Sequence, residues 1–470
     1  MWRSVAIVLL AGLLIGSTGA NVVLLTQLRE SQSEAGQLRQ RALSAEQDRA
    51  DLQNQLSANS NSASTPTAAP APSVNATPGA TAGPDQALLQ RIEQQVSRLR
   101  GLTPKSQVPL RFLDQQGLSQ YLVQNFDRDY LPNERESDQK LLSTLGVLSQ
   151  GDNVVQILLD VLTEQVIGTY SADDKVMYLV GGPGSFGPDE QVTFAHEYTH
   201  SLQDQYYDLN KLSPKHGDND DRSGAIQALV EGDAVLVQRL WAQSALSPAE
   251  LAQLGQGGDS SSGSKLFQAP NFIREELLFP YGDGFNFVRQ AYQAGGTSAV
   301  DDIFRNPPES TEQVLHPDKY RAHEKPVAVS VPDLSGSLGQ GWRQINQNTL
   351  GEMAIRLMLE EYTDASRAAR AAAGWGGDRW SLLERDGRQA LVLETAWDTP
   401  NDAREFFDTE GLALKSRFSG AKQDEASENR QALTAATNAT DVRISGSNVQ
   451  VVLAFDRASA DAIVALLPSQ

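Results

Sequence analysis

Five histidines are spread over 470 residues, and two of them stand four apart in His196-Glu197-Tyr198-Thr199-His200. On a helix, positions i and i+4 lie one above the other, so both imidazoles can reach one metal ion. Glu197 stands between them, placed to take a proton from a water held at that ion. With five histidines in 470 positions, an accidental HExxH is expected at roughly 0.003 per chain, so chance is a weak explanation. The plain alternative is a helix whose histidines merely cap or pack. A catalytic zinc takes three protein ligands and keeps one position open. The third candidate is Glu231, in Ala228-Leu-Val-Glu-Gly-Asp-Ala234. A carboxylate among Leu229, Val230, Ala234 and Val235 is costly to bury unless it is paired or metal-bound. Its alternative is a glutamate at the solvent edge of an amphipathic helix.

The flanking sequence supplies elements that position these groups. Pro188-Asp189-Glu190 reads as a helix start, with proline early and two acids in the first turn. No breaker follows from Gln191 to Tyr206, and Val192, Ala195, Thr199 and Leu202 can share one packing face. A second helix is expected over about 223–246, where Gly232 would let it approach the first closely. Ahead of both, 166–170 and 175–180 are β-rich runs around Ser171-Ala-Asp-Asp174, a hairpin signal. Gly181 to Gly187 is a flexible loop, and without a terminal Gly-Lys-Ser/Thr it is no phosphate loop.

Gln203 and Tyr206 occupy the places where a metzincin would carry its glycine and third histidine. The pattern of two histidines and a distant glutamate instead resembles the gluzincin branch of the zincin metallopeptidases, over about 166–246. That resemblance implies zinc held by His196, His200 and Glu231, with Glu197 as general base. It also implies a mixed or antiparallel sheet with an active-site helix, and an edge strand to which an extended peptide can add. Two departures stand out. Thirty residues separate His200 from Glu231, more than in thermolysin-like enzymes, and Val235 stands where the family has an acid four positions after the third ligand. Asp204 or Asp233 is left to orient a histidine, or either is a solvated acid. The oxyanion of a tetrahedral intermediate needs a donor. His316 is the first candidate, with Tyr320, Tyr281 and His216 behind it. The segment from Pro307 to Pro317 is similar to segments that accompany HExxH in poorly characterised bacterial membrane-anchored proteins.

Residues 1–26 read as a signal anchor or transmembrane helix, with an uncharged apolar run from Val5 to Leu25 after Arg3. Cleavage near Ala20, giving a secreted protein, is the alternative. Residues 27–56 look like a helical stalk or coiled coil, and 57–84 like a Ser/Ala/Pro linker. A zincin-like catalytic domain is expected over 85–325, interrupted by a Gly/Ser-rich loop at 255–265. Phe279 to Phe285 is expected to open a helix. The β-β-α-β-β-α pattern within 326–470 predicts a small two-layer α+β accessory unit.

The chain has no cysteine, so disulfides, thiolate ligands and thiol nucleophiles are excluded. A net charge of −20 argues against nucleic acid and against an anionic lipid face. The sequence therefore predicts an α+β, membrane-anchored, extracytoplasmic zinc peptidase acting on a peptide or protein substrate. The alternative is a non-catalytic zincin-like domain that binds a partner or peptide. No oligomeric state follows from these patterns.

Overall fold

The computed structural model describes residues 86–165, 167–181, 186–212, 219–254 and 264–468. The expected anchor, stalk and linker, His216 and most of the Gly/Ser loop lie outside them. Among the described residues, no helix is long and apolar enough to cross a membrane. The architecture is α+β, with a small mixed sheet among helices and a large antiparallel sheet after them.

The first described helix is α1 (Gln86–Arg100), followed by strand β1 (Leu110–Leu113) and helices α2 (Gln115–Asp129), α3 (Pro132–Leu145) and α4 (Val154–Gln165). The expected hairpin forms as β2 (Gly168–Ser171) and β3 (Val176–Val180), in antiparallel register from Gly168–Leu179 to Ser171–Val176. β1 pairs in parallel on the other side of β3, giving the order β1-β3-β2. β2 is therefore an edge strand.

The HExxH sequence lies on α5 (Pro188–Tyr207). Pro188 takes the first helical position, where its missing N–H costs nothing, and Glu190 reaches back to accept from Gly187 N–H at 2.8 Å. Glu231 lies on α6 (Asp220–Ala245), opened by Asn219, whose Oδ1 accepts from Arg222 N–H at 2.9 Å. From Ser223 to Val237 all but a trace of α6 is buried. A helix apolar around most of its circumference has to be surrounded, and α6 runs through the middle of the helical layer.

α7 (Asn271–Phe279) leads through a π-helical turn at Pro280–Gly284 into α8 (Phe285–Arg305), and the turn and α8 pack on α6. The expectation that a helix opens at Phe279–Phe285 is thus corrected. The helical path continues through the segment and widens for one turn. Proline at 280 removes a donor from the ladder, and π-turns of this kind arise as single bulges inside helices. The turn is pressed on α6. A Cβ on Gly232 would stand 2.3 Å from Gly284 O, and one on Gly284 would stand 2.3 Å from Ala228 O. Gly232 does permit a close approach, then, but to the π-turn and not to α5.

Beyond α9 (Thr311–Leu315) the chain builds a seven-stranded antiparallel sheet: β4 (Trp342–Asn348), β5 (Trp375–Arg385), β6 (Arg388–Trp397), β7 (Lys422–Ala426), β8 (Arg430–Thr434), β9 (Ala439–Ser445) and β10 (Asn448–Ala454). Their order is β4-β5-β6-β10-β9-β8-β7. Between them lie α10 (Gly351–Glu360), α11 (Ala365–Ala372) and α12 (Pro400–Arg417), and α13 (Arg457–Leu466) closes the chain. The two-layer expectation is corrected here. Leu391, Leu393, Val449, Val451 and Leu453 pack with Phe406, Phe407 and Leu414 of α12. Ala390, Val392, Val452 and Ala454 pack with Ala460, Ile463 and Val464 of α13 on the opposite face. Strands apolar on both faces need cover on both, so the unit has three layers. The main apolar core runs without interruption from Leu118 on α2 to Leu453 on β10.

Candidate functional site

α5 and α6 pack together so that His196 Nε2, His200 Nε2 and Glu231 Oε2 converge. The two ring nitrogens are 3.0 Å apart, and Glu231 Oε2 lies 3.2 Å from His196 Nε2 and 3.5 Å from His200 Nε2. A tetrahedral ion with bonds of about 2.0–2.2 Å spaces its ligand atoms roughly 3.3–3.6 Å apart. The triangle is close to one face of that tetrahedron, and nitrogen, nitrogen and carboxylate oxygen is a donor set that suits zinc.

The outer bonds decide which ring nitrogens face inward. Gln203 Nε2 donates to Val230 O at 3.0 Å and to Asp233 Oδ2 at 2.9 Å. Both are pure acceptors, so the amide oxygen must face His200, where it lies 2.9 Å from Nδ1. His200 Nδ1 therefore carries a proton, and Nε2 is the ring atom turned to the centre. Gln238 Oε1 stands 2.9 Å from His196 Nδ1 in the same relation. Gln227 Nε2 donates to Glu231 Oε1 at 3.1 Å, which leaves Oε2 for the centre. Three such atoms turned on one another repel unless a proton or a metal ion lies between them. The charges respond accordingly. Burial disfavours a charged His200 ring, but Glu231 outweighs it and lifts the pKa to about 9. Burial alone would raise Glu231, yet His200 and His196 bring it down to about 2.

Behind Gln203 the network extends further. Asp233 is gripped by Arg100 Nε at 2.7 Å, and Arg100 Nη1 reaches Asp301 on α8 at 2.7 Å. Tyr207 OH donates to the same Asp301 oxygen at 2.7 Å. Asp233 thus orients His200 through an intervening amide. Asp204 does not touch a histidine: it accepts from Tyr170 OH at 2.7 Å, Lys175 Nζ at 2.6 Å and Leu209 N–H at 3.1 Å.

Glu197 is buried, and burial lifts its carboxyl above the usual range. Its Oε2 accepts from Tyr170 N–H of the edge strand β2 at 2.6 Å. The backbone donor that an added peptide strand would seek at Tyr170 is therefore bonded to Glu197. Of the expected oxyanion donors, His316 is turned to Glu352 at 2.8 Å and Tyr320 OH donates to Asn306 O at 2.7 Å. Tyr281 is different. Its hydroxyl is buried and faces Glu231, and burial together with Glu231 and Glu197 holds the phenol well above its ordinary pKa. The π-turn carries Tyr281 to the site. Sequence reasoning missed Arg100, Gln203, Gln227 and Gln238. For Gln203 a signal existed, since it stands one turn from His200 on the same helix face.

A protein-family model described as a domain of unknown function, DUF8575, matches residues 340–464. That match covers the C-terminal sheet and none of the residues around His196. No curated protein matches the chain. The chain is similar to a solved structure from Chloroflexus aurantiacus described as "a putative hydrolase with a novel fold", at 16% identity over 50% of this chain and 87% of that chain. Its TM-score of 0.34 carries no argument about fold or activity.

Proposed function

We propose that the protein is a zinc-dependent peptidase of zincin type, with His196, His200 and Glu231 as the residues that hold the metal. The observation that carries this reading is the convergence of three ligand atoms at 3.0–3.5 Å with the outer nitrogen of His200 fixed as a donor. A bound zinc ion supplies Lewis acidity, polarising a carbonyl and acidifying water. Glu197 takes up the proton released in the attack and returns it to the leaving amine. Its raised affinity for a proton suits a base that works near neutral pH. Tyr281, whose O–H stays protonated beside Glu231 and Glu197, serves as hydrogen-bond donor to the developing oxyanion. Gln203 and Gln238 hold the ligand rings, and Asp233 holds Gln203. The substrate class is a peptide or protein, and the membrane attachment proposed for residues 1–26 would present the site outside the cytoplasm.

The test is Glu197→Gln in the full chain, read by zinc content and by hydrolysis of a peptide library. Zinc should stay at about one per chain while turnover falls by roughly 10²–10⁴. Hydrolysis at the wild-type rate in this variant would end the proposal. A second reading, a metal-stabilised binding domain without turnover, is favoured by the burial of Glu197 and its bond to β2. Under that reading chelation lowers the melting temperature, and no library peptide is cut by the wild type.

A further inference from the structure

A cavity of about 720 Å³ opens at one end of the C-terminal sheet, far along the chain from His196 and Glu231. Arg404, Arg430 and Arg443 line it together with Asn401, Asn429 and Gln450, and among the described residues no carboxylate lines it. In a chain of net charge −20, three guanidiniums on one concave surface need an explanation. Solubility alone does not require them.

Part of the charge is already answered. Asp441, wholly buried behind the cavity, accepts from Arg430 Nε and Nη2 at 3.1 and 2.6 Å and from Arg443 Nε at 2.8 Å. It neutralises one charge and fixes both guanidinium planes. The remaining hydrogens of Arg443, on its two terminal nitrogens, and those on Arg430 Nη1 are left to other partners. Arg404 is held by Glu428 O and by Asn429 Oδ1 at 3.2 Å, with Asp408 at 3.9 Å and well exposed. Arg457 also leans towards Asp441 at 3.6 Å, but it sits behind the cavity wall with Asp461 and Asp424. The first turn of α12, at Pro400 and Asn401, forms another wall and directs the positive end of an 18-residue helix into the space.

We propose that this cavity is a binding site for a phosphate group carried on a small ligand. Three lining guanidiniums against one buried carboxylate, with Asp408, Glu425 and Asp461 only at the margin, leave a net positive surface, which suits the charge of about −1.5 to −2 on a phosphate monoester at neutral pH. Planar forks with fixed orientation suit its oxygens, and the volume suits a small molecule. The site is independent of the metal centre and lies on the segment matched by the family model.

The test titrates inorganic phosphate into the full chain and follows the ³¹P resonance, with acetate in a parallel titration. Phosphate should saturate one site, and acetate should bind at least about tenfold more weakly. Arg443→Lys keeps the charge and a contact to Asp441 but loses the fork, and should weaken phosphate binding about tenfold. Arg404→Gln gives up a contact to exposed Asp408 and one to the Phe407 ring but no buried charge pair, and should weaken binding severalfold. Circular dichroism and melting temperature verify the fold of each variant. Phosphate that fails to saturate, acetate that binds equally well, or folded variants that bind as the wild type does would each overturn the assignment.

Discussion

His196, His200 and Glu231 bring three ligand atoms together between α5 and α6, and Glu312, Glu324 and Asp398 do the same beside α9. By geometry the two groups are alike. They differ in what surrounds them. The second group encloses Lys319, whose ammonium lies 2.6 Å from Glu312, 2.8 Å from Glu324 and 2.5 Å from Asp398. The chain supplies its own cation there. Around the first group the hydrogen-bonding partners are the neutral amides of Gln203, Gln227 and Gln238. Among the described residues, no lysine or arginine bonds that triad. Convergent ligands alone therefore do not mark a metal site; the group proposed as one differs in that its outer hydrogen-bonding partners are neutral.

The largest expected effect comes from removing a ligand. Glu231→Ala should abolish zinc retention, weakening affinity by more than about 1000-fold, whereas Glu324→Ala should leave the zinc content as it is. Elemental mass spectrometry on both variants decides it, and equal zinc loss from the two would erase the distinction. Gln203→Leu comes next. Asp233 keeps Arg100, but His200 loses its orienting acceptor, and zinc affinity measured against a chelator should fall about 10–100-fold. An unchanged affinity would reduce Gln203 to packing.

Lys319→Met addresses the other group and should destabilise the fold by about 2 kcal/mol, less than the 3–5 of a fully buried pair because Glu324 and Asp398 are partly exposed. The loss should depend on pH. Burial lifts Glu312 to about 7 even though Lys319 works against it. A carboxyl whose folded pKa lies above its unfolded value favours the folded state at low pH, and that contribution is lost as pH rises through 7. Without the lysine the penalty for ionising Glu312 grows, so chemical denaturation should show a larger loss at pH 8 than at pH 5. Equal losses at both would mean that Lys319 acts through packing alone.

Much of the α5–α6 pair was legible because its chemistry and its folding signals coincide. Pro188 and the first-turn acids start α5, the HExxH spacing needs a helix, and the burial cost of Glu231 marks it among apolar neighbours. The surrounding glutamines were not legible, since an amide is at home on any helix surface and carries no charge that demands a partner. The π-turn at Pro280 reads as a helix start because proline favours one, and only contact with Ala228 and Gly232 shows otherwise. In the C-terminal unit the two central hairpins were visible from their turns. β4 and β7 were not: they are the edge strands, and Lys422-Gln-Asp-Glu-Ala426 has the polar composition that protects an exposed edge. β8, its neighbour, is only half buried and was lost with it.

The reach of Arg100 sets a limit on how this protein can be shortened. A chain trimmed to begin at β1 would keep both histidines, Glu197, Glu231 and Tyr281, and would look intact to any motif search. It would also leave Asp233, fully buried, without its counter-charge, a defect of about 3–5 kcal/mol placed one amide away from His200. A fragment boundary that respects the centre therefore lies upstream of Gln86, although every atom that would touch the metal lies more than a hundred residues later.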